Sequence, residues 1–293
     1  MSAIDLKYQI TEFYNKAVVS KYSRGKIHPV RIVQSVKSLI GINPASPLEN
    51  LMEFCSNYLR DSATINFSYS KEEKIPEVVT LADLELSLKN KNIEESNKNV
   101  YYLSNVSDTK HILEFLLEIS IKYNLNCFYS IWSVYKMMLF LKGENIFNNI
   151  LFCIHEIVND SIDMQLSEIN LQDIDLKKYE YHQDTFGLLM IYYSILNEDF
   201  IRIENISKYI KNNISHKLKF DGNIDELDVE EDQIINGRIW INNFIESLNM
   251  DVLNEDLILT LESCRGALKI SDGMDTQIIW HNLNKYLKEN GFK

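Results

Sequence analysis

Apolar residues recur at helical spacing along most of this chain, and the pattern is densest from His111 to Val158. In 109–124, Ile112, Phe115, Leu116, Ile119 and Tyr123 share one face, while His111, Glu114, Glu118 and Lys122 form the opposite stripe. That spacing predicts an amphipathic helix with the charged stripe in water. The next run, 127–142, is apolar nearly all round, and Ser130, Ser133 and Lys136 leave only a narrow polar strip. A helix that is apolar on every side is a buried one. This segment is therefore expected to be the most buried helix of the fold, with that strip as its only wet edge. Gly143 ends it, and 145–158 is amphipathic again.

Upstream, Ile4, Tyr8, Ile10, Phe13, Tyr14, Ala17 and Val18 predict a helix within 4–21. Pro29 opens a second, with Ile32, Val33, Val36, Leu39 and Ile40 on one face and Arg31, Gln34, Ser35 and Ser38 on the other. Gly41 is its expected stop. Ser46-Pro47-Leu48-Glu49 has the form of a capping box and predicts a helix running to about Leu59. Residues 61–78 hold no helical period, and Pro76 interrupts them; the alternation of Ile65, Phe67 and Tyr69 allows at most a short strand. Thr80 to Asp83 opens the next helix with a weaker version of the same cap. Further helices are predicted at about 184–196, 199–214, 233–248, 254–270 and 275–290. Residues 159–180 read as a loop with a short helix at most.

Segments 84–103 and 191–210 echo each other at an offset of 107: Ser87 with Ser194, Asn90 with Asn197, Tyr102 with Tyr209. Each would be a helix, a tight polar turn and a second helix, which is the logic of a helical repeat. Two unrelated helical hairpins would give the same few matches.

Composition agrees with helices throughout. There are only 9 Gly and 4 Pro, and every proline lies within the first 76 residues. Proline and glycine are the residues that helix interiors least tolerate. The expected fold is all-α: ten to twelve helices in antiparallel hairpins, as a compact array or a short α-solenoid. Residues 1–293 are expected to form one domain, with 217–233 as its hinge. At roughly 150 residues per domain the length allows one or two.

A net charge of −12 disfavours nucleic acid and anionic membranes as partners. The most apolar run falls short of the roughly 20 residues a membrane span needs. Cys55, Cys127, Cys153 and Cys264 form no CxxC pair and read as reduced, buried thiols, which predicts a cytoplasmic protein. Asp5 and Glu12 stand near the start, and no long apolar run accompanies them, unlike a secretion signal.

Chemical motifs are scarce. His111, Glu114 and Glu118 have metal-ligand spacing, but their position opposite the apolar face makes them a solvated stripe. Asp221, Asn223 and Asp225 begin like a calcium loop, yet Glu226 stands where the hinge glycine belongs. No phosphate-binding or nucleophile-elbow motif occurs. No metal and no cofactor are expected.

Two features stay open. Six basic residues and no acidic one lie between Phe13 and Leu48, in a chain that is acidic overall. Lys21, Arg24, Lys26 and Arg31 are the candidates there for an anion or a partner; the alternative is internal pairing with acidic segment 221–232, or a merely solvated face. The second feature is aromatic: Trp132, Tyr135, His155 and Tyr192 are candidates to line an inter-helical pocket, or else they are core. The leading expectation is a cytosolic, non-catalytic interaction or scaffold protein that meets a protein partner through basic 16–37 or acidic 221–232. The alternative is an all-helical enzyme or small-molecule binder with an aromatic pocket.

Overall fold

The computed structural model describes residues 3–22, 27–60, 62–67, 78–141, 146–160, 183–217, 227–271 and 273–292. The chain is all-α, with fourteen helices among the described residues. In the first half these are α1 (Ala3–Val18), α2 (Pro29–Ile40), α3 (Glu49–Tyr58), α4 (Leu81–Lys89), α5 (Ile93–Val106), α6 (Thr109–Tyr123), α7 (Leu125–Leu141) and α8 (Ile146–Asp160). There follow α9 (Gln183–Leu196), α10 (Ile203–Lys217), α11 (Glu231–Asn236), α12 (Arg238–Ser247), α13 (Glu255–Leu268) and α14 (Gly273–Glu289). One two-residue ladder joins β1 (Ser20–Lys21) antiparallel to β2 (Ala63–Thr64), with Ser20 opposite Thr64. Of the loop expected at 159–180, residues 159 and 160 continue α8 instead, and the rest falls outside the described residues, as do 218–226 of the expected hinge.

The predicted starts and stops meet mixed fates. Thr80 forms a full capping box: its hydroxyl accepts from Asp83 N, and Asp83 Oδ2 accepts from Thr80 N at 2.9 Å. Such a cap is worth about 1 kcal/mol. Asp108 caps α6 through Lys110 N at 2.8 Å. The stronger-looking signal at Ser46 fails. There α3 begins at Glu49 and its N-cap is Leu48, which has no side-chain bond, while Ser46 closes a turn with Asn43. The single helix expected over 233–248 is two, broken at Gly237, whose φ of 52° suits only a residue without Cβ.

Burial centres on α2 rather than on α7. Ten of the twelve α2 residues are buried, against twelve of seventeen in α7. The reason is that α2 is packed by α1, α3, α7 and α13, so its polar side is covered as well. Of the expected wet edge of α7, Ser130 and Ser133 are buried and only Lys136 is part-exposed, while Asn126 and Leu139 are the exposed positions of that helix.

The contact of α2 with α13 joins segments more than two hundred residues apart. Asn50 adds a hydrogen bond to the Ile245 carbonyl at 2.8 Å. In a solenoid each unit touches only its neighbours, so the arrangement is the compact array. The echoed hairpins α4–α5 and α9–α10 match only in part. Their first helices end in register at Lys89 and Leu196, but α5 starts at Ile93 and α10 at Ile203, three residues later than the offset requires. The polar contacts differ too: Ser87 meets Ser96 and Asn99 across the first hairpin.

Candidate functional site

A small cavity of about 30 Å³ opens where α2, α7, α9 and α13 meet. That volume holds one or two water-sized groups. Its polar wall consists of Arg31, Gln34 and Ser35 from α2, Ser133 from α7, and Glu262 and Ser263 from α13. All six are buried, Arg31 at 9% exposure being the most open. Trp132 and Tyr129 from α7 and Met190 from α9 supply much of the apolar wall.

Helix periodicity explains how these residues converge. Arg31, Gln34 and Ser35 lie at i, i+3 and i+4 on the polar stripe of α2. The sequence places that stripe opposite the apolar face of α2, and α13 lies across it. Two glycines let α9 approach closely. A Cβ on Gly187 would stand 3.2 Å from Tyr129 Cε1 and 3.5 Å from Ser263 Oγ, and one on Gly266 would stand 2.1 Å from Met190 Sδ.

Charge is concentrated around this wall. Both carboxylate oxygens of Glu262 accept from Arg265, at Nε (2.5 Å) and Nη2 (3.0 Å), a forked pair on one helix turn. The Arg31 guanidinium lies 4.6 Å from the Tyr129 ring centroid and donates to Asn126 at 3.4 Å. Lys37, one and a half turns further along α2, is buried deeply enough that its pKa falls to about 8. Glu262 pulls it upward, but Lys136 and Arg265 add to the lowering. Among the described residues, Arg31 is thus buried in the wall, and the half-buried Lys37 and Arg265 stand close to Glu262.

His28 sets the start of α2. Its Nδ1 accepts from Val30 N at 3.2 Å, and its ring packs 4.7 Å from Phe152. Burial drives its pKa down to about 4; a hydrogen bond with the Ser20 backbone opposes this, and nearby Arg31 reinforces it. His28 is therefore a neutral cap at neutral pH.

The sequence candidates divide. Of the pocket set, only Trp132 lines the cavity. Tyr135 stacks on Trp132 at 5.5 Å and packs tilted against Phe200 at 5.0 Å, and its hydroxyl donates to Glu198 at 3.0 Å. His155 lies apart against Phe67, and burial lowers its pKa. Tyr192 pairs edge-on with Tyr193. Of the basic set, Lys21 is exposed on β1, and Arg31 is turned inward, contrary to a shared outer surface. Arg24 and Lys26 lie outside the described residues. Acidic 227–232 meets α14, through Lys288 on Asp228 and His281 Nδ1 accepting from Asp228 N, rather than the basic segment.

The stripe expected to be solvated on α6 is also corrected. Glu114 is fully buried and Glu118 nearly so, while His111 is exposed. The turn 197–202 covers them. Glu114 Oε2 accepts from Ile201 N at 2.9 Å, and Glu118 pairs with Arg202, Lys122 (2.9 Å) and Asn205 (3.2 Å). Burial pushes the Glu118 pKa up, but the bonds from Lys122 and Arg202 outweigh it and hold the carboxyl below its usual range. This network clamps the α9–α10 turn onto α6. Among the described residues no three His, Cys, Asp or Glu side chains gather as metal ligands.

The four cysteines are buried and stand outside any disulfide, and burial pushes the Cys55 thiol up to about 12, far from thiolate chemistry at neutral pH. No helix among the described residues is long and apolar enough to cross a membrane. Comparison with protein-family models, with curated proteins and with solved structures finds no match to this chain.

Proposed function

We propose that this chain is a non-catalytic helical interaction protein whose α11–α12 edge binds a basic, apolar segment of a partner protein. One observation carries the reading. Ile234, Ile235 and Ile239 flank the Gly237 break and stand 52%, 71% and 49% exposed. Immediately before them Glu230, Glu231 and Asp232 are also exposed. Apolar side chains left outside beside acids of one sign suit a partner helix carrying leucines and lysines.

The edge is held in place, as a docking surface should be. Gln233 is buried and donates to Asn284 at 2.6 Å, and Asn284 in turn donates to the Asp228 carbonyl at 2.9 Å. Trp240 and Phe244 stack 5.2 Å apart, and Trp240 meets Trp280 of α14 edge-on. The buried thiols support a reducing, cytoplasmic setting.

Fluorescence anisotropy tests this with a labelled amphipathic Leu/Lys peptide and its Leu/Glu counterpart. The Leu/Lys peptide should bind, more weakly as salt rises. Ile235→Ser, or Glu231→Lys with Asp232→Lys, should weaken binding by about tenfold, the loss of one anchor's burial. Equal binding of both peptides, or no effect of the variants, contradicts the proposal. The second reading is an all-helical enzyme or small-molecule binder, and the polar cavity favours its binding half.

A further inference from the structure

The chain carries a second exposed apolar face, and its fringe has the opposite charge to that of the α11–α12 edge. Ile4 and Tyr8 lie one turn apart on α1 and stand 82% and 66% exposed. Leu139, near the end of α7, is 54% exposed. The two helices meet at Phe140, whose part-buried ring has Lys7 Nζ 5.9 Å from its centroid and Lys37 Nζ 5.4 Å from it. The core face of α1 is already supplied by Leu6, Ile10 and Tyr14. Ile4, Tyr8 and Leu139 therefore stand outside the core, bordered by lysines. At the α11–α12 edge the exposed isoleucines are bordered by Glu230, Glu231 and Asp232 instead. Asp232 accepts from the Asn236 amide at 2.6 Å, a neutral donor, so its charge is kept. Each face has its minority charge at the margin: Asp5 and Glu12 on the flank of α1 away from Lys7, and Arg238 beyond the Gly237 break.

We infer that these two faces bind each other between copies of the chain, which takes the α11–α12 edge as the docking surface proposed above and makes a second copy its partner. One molecule does not join its own two faces: α1 packs on α2, α2 on α13 and α13 on α12, which places two helices between them. Charge favours this pairing over its alternatives. Edge on edge sets acids against acids, and face on face sets lysines against lysines. Edge on face matches the signs while covering apolar side chains on both copies. A net charge of −12 on every copy opposes the approach, so the association is weak. Because unlike surfaces meet, spoiling a different one on each of two copies leaves one good contact between them.

Sedimentation equilibrium of the full chain from about 1 μM to 1 mM, a range that spans weak association, reads the assembly. The wild type should be monomeric at the low end, and its average mass should climb with concentration. Ile4→Ser with Lys7→Glu spoils one surface, and Ile235→Ser with Glu231→Lys spoils the other. Each variant alone should associate about tenfold more weakly or worse, the loss of one anchor's burial and one charge match. Mixed in equal amounts, the two variants should form a dimer and nothing larger, because each retains the surface that the other lacks. The substituted side chains are all exposed, and circular dichroism checks that the variants fold. Should the α1 variant fail to fold, Leu139→Ser takes its place. A wild type that stays monomeric at the highest concentration, variants that associate as the wild type does, or a mixture that stays monomeric would each overturn the inference. A monomeric wild type that still binds the Leu/Lys peptide would overturn it alone and leave the α11–α12 edge as a docking surface for another protein.

Discussion

Protonating His28 should unseat the start of α2, the helix that carries half of the cavity's polar wall. Neutral Nδ1 accepts from Val30 N; a protonated ring has no lone pair there and sets a second buried cation beside Arg31. The pKa is lowered from 6.5 to about 4 in the folded chain. The unfolded chain therefore takes up the proton first as pH falls. The stability that His28 contributes is fully present above about 6.5 and is lost progressively down to about 4. The whole shift corresponds to about 3 kcal/mol, and about 2 kcal/mol of it is lost between pH 7 and pH 5. His155, also lowered by burial, and Glu118 add acid sensitivity of their own. The assay must therefore compare slopes. Urea unfolding of the wild type and of His28→Asn at the two pH values isolates the term, because Asn can still cap a helix but does not titrate. The variant should lose about 2 kcal/mol less than the wild type on going to pH 5. Equal losses would refute the assignment of His28 as a buried neutral cap, whatever the variant's stability at pH 7.

Other substitutions probe the packing and the clamp. Glu114→Ala leaves the Ile201 and Arg202 amides without their acceptor and should cost about 1–3 kcal/mol in urea unfolding; an effect below 0.5 kcal/mol would mean that the α9–α10 turn is not held this way. Gly266→Val should destabilise by about 1–3 kcal/mol by displacing Met190, and Met190→Ala in the same chain should recover part of that loss, a non-additivity that independent sites would not show. Lys37→Met removes a half-buried cation whose pKa is lowered to about 8. The wild type should gain stability relative to this variant as pH rises from about 8 toward 10, since the unfolded chain then holds the proton that the folded chain has released. Ile235→Ser should leave the unfolding midpoint nearly unchanged, within about 0.5 kcal/mol, because the side chain touches mostly solvent.

The helices themselves were legible because each buries its own periodic face: α6, α7, α8, α13 and α14 begin and end within a few residues of where spacing put them. What covers the opposite face was not legible. The stripe Arg31, Gln34 and Ser35 looks polar in the sequence, and polarity alone suggests water. Its cover is α13, more than two hundred residues away, and local periodicity carries no record of that contact. Glu114 and Glu118 repeat the lesson, since their partners are the backbone and side chains of the turn at 197–202. Capping signals misled in the same way. Ser46 has the better motif, but the chain turns at Asn43 before the helix starts; Thr80, with the weaker one, forms both reciprocal bonds. At the cavity, the glycines at 187 and 266 were the overlooked sign: in a chain with only 9 of them, one inside each of two helices marks a close crossing.

Hydrogen–deuterium exchange of the whole chain, with and without the Leu/Lys peptide, tests the interaction surface most directly. Protection confined to residues 227–247, with α1 and the α4–α5 hairpin unchanged, is the predicted result. Protection spread over many helices, or centred away from Ile234, Ile235 and Ile239, would contradict it.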